Sequence, residues 1–256
     1  EAWVKYTAEA AIAEARMYQL LVKIGWPEPE TEVHKNRAIS YTGFLIAAAR
    51  NGFAVKYSGS WEQKGWHTFG RAIRALDEVF AMTLERRYTT WALRYGNNLS
   101  KRLDELEGPF FRDEESELCF DSDMSADPVR GLIRCYRLSG DEKYLHKAIE
   151  IGEWLMDKQF EDGAYPLRIF KNPNFNKATP NLDDLRRILE GRSEPGSALN
   201  LVGIASPGDT ANITIALIEL WEATGNPDYI TPTNKGLAYC LYTQNMDESS
   251  PVFGLP

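Results

Sequence analysis

The sequence predicts an all-α fold of stacked helical hairpins, and three observations carry that expectation. Residues 131–159, GLIRCYRLSGDEKYLHKAIEIGEWLMDKQ, and residues 216–244, ALIELWEATGNPDYITPTNKGLAYCLYTQ, say nearly the same thing twice. Gly140/Gly225, Tyr144/Tyr229 and Gln159/Gln244 fall 85 residues apart, and Gly152/Gly236 fall 84 apart. A helix, a Gly-containing turn with a Tyr four residues on and a second helix, recurring at a fixed interval, mark a helical-repeat architecture. The second observation is apolar periodicity near 3.6 in long stretches on either side of these copies. The third is the lack of any credible parallel-strand pattern between them.

The elements follow in order. Ala8, Ala11, Ile12, Ala15, Met17, Leu20, Leu21 and Ile24 recur at helical spacing and predict a first helix over about residues 2–24, which GWPEPETE ends. A second apolar stretch, TGFLIAAARNGFAV, begins near Ser40. A third, GWHTFGRAIRALDEVFAMTLERR, carries Phe69, Ile73, Leu76, Val79, Phe80 and Leu84 on one face, and helical reading continues through YTTWALRYGNNLSKRLDELEG. The texture then changes: PFFRDEESELCFDSDMSADP has few helical signals, and Cys119–Phe120 suits a short strand before the first repeat. After Gln159, FEDGAYPLRIF reads as a tight Asp-Gly turn and an extended segment. From Lys171 to Gly208 the chain is rich in Asn, Pro, Ser and Gly, with a short helix expected around Leu182–Glu190. A connection of that length is usually functional or disordered. The second repeat closes at Gln244, and the tail MDESSPVFGLP brings no third complete copy.

These hairpins fit an open solenoid or a closed α/α toroid, and QxxDGxxP-like hairpin ends with long intervening loops favour the toroid, complete or partial, with the loops at one mouth. The expected organisation is a single domain over residues 1–256, its recognisable repeats in 120–245 and its first 110 residues without a likeness to name.

Composition narrows the partners. The 256 residues carry a formal net charge of −8, so no sequence-independent attraction to nucleic acid or anionic lipid is expected. An aromatic fraction of 12%, with seven Trp, exceeds what packing alone requires and suits stacking on sugars or isoprenoids. Cys119, Cys135 and Cys240 show no CxxC spacing and read as buried free thiols. No apolar run approaches membrane-spanning length, and the opening residues read as an amphipathic helix rather than an export signal, so a soluble chain of open compartment and oligomeric state is expected.

Overlaying the copies sets Asp127 opposite Asn212 and Ser125 opposite Thr210, so both repeats begin S/T-x-D/N. Helix capping explains that pattern, and so does a ligand at the mouth where inner helices begin. DSDMSAD places Asp121, Asp123 and Asp127 within seven residues, enough carboxylate for general acid–base work. As a metal site it is a weak candidate for Ca²⁺ through Asp121 and Asp123, because it lacks the glycine and terminal Glu of an EF-hand loop; no cofactor is expected otherwise. DGAYPLRIFK brings Tyr165, Arg168 and Lys171 beyond a helix end. A Tyr that exchanges a proton and an Arg that offsets a carboxylate suit β-elimination from a uronate, while a packed Tyr over a turn with an exposed Arg is the plain alternative. His67 beside Trp66 at a helix start is a possible base, with His34 in a polar linker and His146 between repeat positions. EGRSEPGS supplies Glu194 as a subsite or lid residue and GDT supplies Asp209. No GxSxG, HExxH, Walker or GxGxxG motif is present, and DSDM departs from DxDD at its last position.

The pattern LxRxYRLSGDEKYLxKAxExGEWLMDKQxEDGAYP resembles hairpins of the α/α-toroid carbohydrate-active enzymes, among them polysaccharide lyases, unsaturated glucuronyl hydrolases and epimerases. SSPVFG is similar to a segment after the last hairpin of some of them. The resemblance covers roughly residues 120–245 and implies a poly- or oligosaccharide in a central cleft, gripped by aromatics. The expectation is a polysaccharide lyase using Tyr165, Arg168, Asp127, Asp209 and His67, with Asn212, Asp123, Trp66, Lys171 and Glu194 binding substrate. Its alternatives are a glycoside hydrolase with Asp127 and Asp209 as a carboxylate pair, a terpenoid-cyclising or terpenoid-binding toroid, and a non-catalytic binding protein.

Overall fold

The structure, a computed structural model, describes residues 4–49, 54–57, 61–64, 66–105, 119–121, 123–166, 168–170, 205 and 207–243. The short helix expected around Leu182–Glu190, Lys171, Glu194, Gln244 and the tail lie outside the described residues. The contacts group the chain into two units, Glu1–Gly108 with Asp127–Ile149, and Pro109–Ala126 with Glu150–Pro256. Long helices dominate both, as the repeat analysis predicts.

The first unit opens with the hairpin α1 (Val4–Lys23) and α2 (Glu28–Ala49). Gly25 turns it at φ +70°, and Trp26 N–H reaches back to the Leu21 carbonyl at 2.9 Å, closing the end of α1. The helix α2 begins twelve residues ahead of the apolar stretch at Ser40, and His34 lies on it rather than in a linker. Its first turns look like a linker because they are polar and bury only Thr31, with Glu32, His34 and Lys35 half-buried; Pro29 fits a first turn, and Glu28 and Glu30 suit the positive end of the helix dipole. The strands β1 (Ala54–Tyr57) and β2 (Trp61–Lys64) then pair antiparallel, Ala54 opposite Lys64 and Tyr57 opposite Trp61, so the last two residues of the second apolar stretch, Ala54 and Val55, form strand.

The hairpin α3 (Trp66–Thr83) and α4 (Arg86–Glu105) follows, and α1 packs on both α2 and α3. Phe69, Ile73, Leu76 and Val79 are buried, and Phe69 meets Tyr95 edge-on with ring centroids 5.5 Å apart. The Tyr95 hydroxyl donates to the Leu45 carbonyl at 3.2 Å, tying α4 to α2. The helix α5 (Asp123–Ser139) crosses α3 backbone to backbone. A Cβ on Gly70 would fall 2.1 Å from the Asp127 carbonyl oxygen, and one on Gly131 would fall 2.6 Å from the Gly70 Cα, so only glycine permits this approach. The helix α6 (Glu142–Met156) turns back, and the Tyr144 hydroxyl donates to Asn97 Oδ1 at 2.9 Å.

In the second unit β3 (Cys119–Asp121) pairs antiparallel with β4 (Arg168–Phe170), meeting the strand expectations for both segments. The hairpin α7 (Pro207–Thr224) and α8 (Ile230–Tyr242) encloses a single 3₁₀ turn at Pro227–Tyr229. Gln159 Nε2 donates to the Gly163 carbonyl at 3.0 Å and the Pro232 carbonyl at 2.8 Å, pinning the Asp-Gly turn to α8. Ile213, Ala216, Leu217, Leu220 and Tyr229 form the buried face.

The repeated turn is present once more than the glycines reveal. Ser139 Oγ donates to the Cys135 carbonyl at 2.7 Å and accepts from Asp141 N–H at 3.2 Å. Thr224 does the same between the Leu220 carbonyl and Asn226 N–H, at 2.8 and 3.1 Å. Thr83 repeats the arrangement between the Val79 carbonyl and Glu85 N–H, at 2.8 and 3.3 Å. The next residue is left-handed in each case, Gly140 at φ +70°, Gly225 at +69° and Leu84 at +59°, and a buried Tyr follows four positions on as Tyr144, Tyr229 and Tyr88.

Candidate functional site

In the second unit the backbone gathers most of the residues that the sequence singles out. The β3–β4 register sets Asp121 opposite Arg168, and Asp123 opens α5 two residues later. Pro166 bridges Ala205 just ahead of α7, and Tyr165 N–H donates to Thr210 Oγ1 at 2.9 Å in the first turn of that helix. Asp209 stands in the same turn, and Asn212 lies less than one turn further on. One short run of backbone contacts therefore links Asp121, Asp123, Tyr165, Arg168, Asp209 and Asn212.

Tyr165 is wholly buried, its hydroxyl has no hydrogen-bond partner among the described residues, and burial pushes its phenol up from the ordinary value. A sugar cannot reach that oxygen as the side chain stands. Thr210 explains part of the repeat signature: its hydroxyl serves the backbone of the Asp-Gly turn segment, a structural task within the unit. Asp209 is half-buried in the first turn of α7, so an acidic group stands at the amino-terminal end of that helix.

Asp127 belongs to the first unit and to a different chemistry. Its carboxylate is 1% exposed and ion-paired with Arg71, and its second oxygen lies 3.4 Å from Arg74 Nη1. Glu9 Oε1 stands 3.7 Å from Arg71 Nε and 3.7 Å from Arg74 Nη1. A carboxylate held between two buried guanidinium groups is a strut between α3 and α5. Asp127 lies one turn inside α5 and Asn212 a turn and a half inside α7, so neither caps its helix as the S/T-x-D/N pattern suggested. The helices begin earlier than the pattern implied, at Asp123 and Pro207. Trp66 and His67 open α3 in this first unit, on the helix that carries Arg71 and Arg74.

Sequence reasoning missed Arg71, Arg74 and Glu9. Arg71 and Arg74 lie three apart on the side of α3 away from Phe69, Ile73 and Leu76, where charge reads as the solvated side of an amphipathic helix, so their burial carries no local signal. Among the described residues no three His, Cys, Asp or Glu side chains come together to hold a metal ion, and no helix is long and apolar enough to cross a membrane.

The sequence matches no protein-family model and no curated protein. The structure is similar to that of a family 76 glycoside hydrolase from a bovine strain of Bacteroides thetaiotaomicron, with a TM-score of 0.63 and 15% identity over 99% of this chain and 51% of the other. It is also similar to a family 76 glycoside hydrolase, a mannosidase, from Bacteroides thetaiotaomicron, with a TM-score of 0.54 and 13% identity over 94% of this chain and 59% of the other. The chain thus spans between half and three fifths of the length of these two structures. The likeness shows the fold, the helical hairpins of the α/α-toroid class that the duplicated sequence predicts.

Proposed function

We propose that the chain acts on glycans and cleaves a glycosidic bond by hydrolysis. The observation that carries this reading is the placement of acidic residues at the starts of two helices, Asp123 on α5 and Asp209 on α7, joined through the β3–β4 ladder and the Pro166–Ala205 bridge. The shared fold with two glycosidases supports it. In such a pair one carboxylic acid protonates the leaving oxygen, while the other carboxylate either activates water or attacks the sugar carbon itself. Asp121, opposite Arg168, is the third acidic position in reach of this run, and Asn212 supplies an amide for a sugar hydroxyl.

Elimination is the poorer reading, because its expected base, Tyr165, is buried away from solvent. The expected hydrolase pair also changes: Asp127, locked between Arg71 and Arg74, is assigned a structural role, and Asp123 takes its place beside Asp209. Since one of the two similar structures is a mannosidase, mannose-containing polysaccharides are the first substrates to test.

Incubation with mannans and with uronate polysaccharides, read by reducing-end release and by ultraviolet absorbance of unsaturated products, separates the two reactions. The expected result is reducing ends without new absorbance, and a loss of about 10²–10⁴-fold in Asp123→Asn and Asp209→Asn. Unsaturated product would restore the lyase reading. Wild-type rates in both Asn variants would remove these residues from the chemistry.

A further inference from the structure

The helix α1 is apolar on two opposite faces. Ala8, Ala11, Ile12 and Ala15 are buried on the side that packs on α2 and α3. The opposite side exposes Tyr6 at 60%, Leu20 at 52% and Met17 at 43%, in line with Ala13, the half-buried Ala10 and, in the turn just past the helix, Ile24 at 60%. These positions advance by alternating steps of four and three residues, the spacing of a coiled-coil seam. A single exposed Leu needs no account, but a continuous apolar stripe along a charged protein marks an interaction surface.

The seam is complementary to itself. Against an antiparallel copy, Tyr6 meets Ile24, Ala10 meets Leu20 and Ala13 meets Met17, so that each alanine faces a large side chain and the two surfaces interdigitate. One flank carries Glu9, Arg16 and Lys23 at heptad spacing. In the antiparallel arrangement Glu9, which also stands 3.7 Å from Arg71 Nε and Arg74 Nη1 of its own copy and is 43% exposed, faces Lys23 of the second copy, a pair of opposite charges. Arg16 faces its own counterpart, yet it is already turned to Glu78 of α3 at 2.7 Å, which removes the repulsion that two free arginines would bring.

We propose that α1 is a self-association surface whose occupant is a second copy of this chain, bound antiparallel across a two-fold axis. The contact is isologous, so each pairing occurs twice. One helix pair buries an area at the small end of specific interfaces, which makes the dimer weak and concentration-dependent. This inference is independent of the glycosidase reading.

Sedimentation equilibrium of the full 256-residue chain over a range of concentrations tests it. The expected result is a reversible monomer–dimer equilibrium, loosened at least about ten-fold by Leu20→Glu and by Met17→Lys. Lys23→Glu loosens it too, more strongly at low salt than at high. Phe44→Glu, at a half-exposed position on α2, leaves it unchanged. Because Met17 and Leu20 point away from the core, thermal melting of both variants matches the wild type, which separates lost association from lost folding. A chain that stays monomeric at every concentration overturns the proposal and leaves the seam to a foreign helix. A dimer insensitive to the Leu20, Met17 and Lys23 substitutions overturns it as well, since the contact then lies on another face.

Discussion

Replacing Asp127 by Asn tests whether this residue is a strut or a catalyst, because the two roles predict opposite patterns of stability and rate. The substitution keeps the shape of the side chain and removes its charge. Arg71 and Arg74 then stand 9% and 8% exposed with their main counterion gone. Removing one partner of a buried ion pair costs about 3–5 kcal/mol. Glu9, 3.7 Å from both arginines but 43% exposed, offsets part of that, so the expected loss is about 2–4 kcal/mol. Urea unfolding followed by far-ultraviolet circular dichroism measures it as a lower midpoint at unchanged slope. A triple variant with Arg71→Met and Arg74→Met beside Asp127→Leu recovers much of the loss, since buried ion networks exchange for apolar side chains at little cost. A loss under about 1 kcal/mol, together with a rate reduced a hundred-fold or more, would refute the structural assignment and return Asp127 to the chemistry.

Two further outcomes follow from features of the fold. Leu84→Gly should raise the melting temperature by about 1–3 °C, because it relieves a left-handed backbone at a position 74% exposed, where little burial is lost; a fall shown by calorimetry would count against the turn analysis. Tyr95 and Tyr165 have phenols pushed up by burial, so they hold their protons in the folded chain above the ordinary tyrosine value of about 10. Their contribution to stability is complete below that pH and is lost as pH rises through it, so an ultraviolet titration should show at least these two of the twelve tyrosines ionising only with unfolding; their smooth ionisation in a folded chain would contradict the burial of both.

Much of the architecture is legible in the residues because periodicity and turns are local properties. The helices α5 to α8 follow from the duplicated segment, β3 from a change of texture and β4 from the extended run after the Asp-Gly turn. Other features are hidden for physical reasons. The apolar list for α1 runs together Ala8, Ala11, Ile12 and Ala15 with Met17, Leu20 and Ile24, and only the packing separates a buried face from an exposed one. The first half of α2 buries only Thr31 and Ala38, seven residues apart, so it carries no apolar rhythm to detect. At the candidate site, the residues after the Asp-Gly turn can be picked out by type, but their grouping depends on a strand register and on one hydrogen bond to Thr210. The pairing of Asp127 with Arg71 and Arg74 spans more than fifty residues of chain, and no local pattern sets it.

The hydroxyl latch at Thr83, Ser139 and Thr224 bears on the history of the chain. A turn that depends on glycine alone tolerates no drift at that position. A turn held by a side chain bonded on both sides survives the loss of its glycine, as Leu84 demonstrates. Duplicated hairpins of this kind can therefore diverge until their letters no longer match while the hinge between their helices is retained. Common descent in such proteins is better sought in a Ser or Thr, a left-handed residue and a Tyr at fixed offsets than in overall identity.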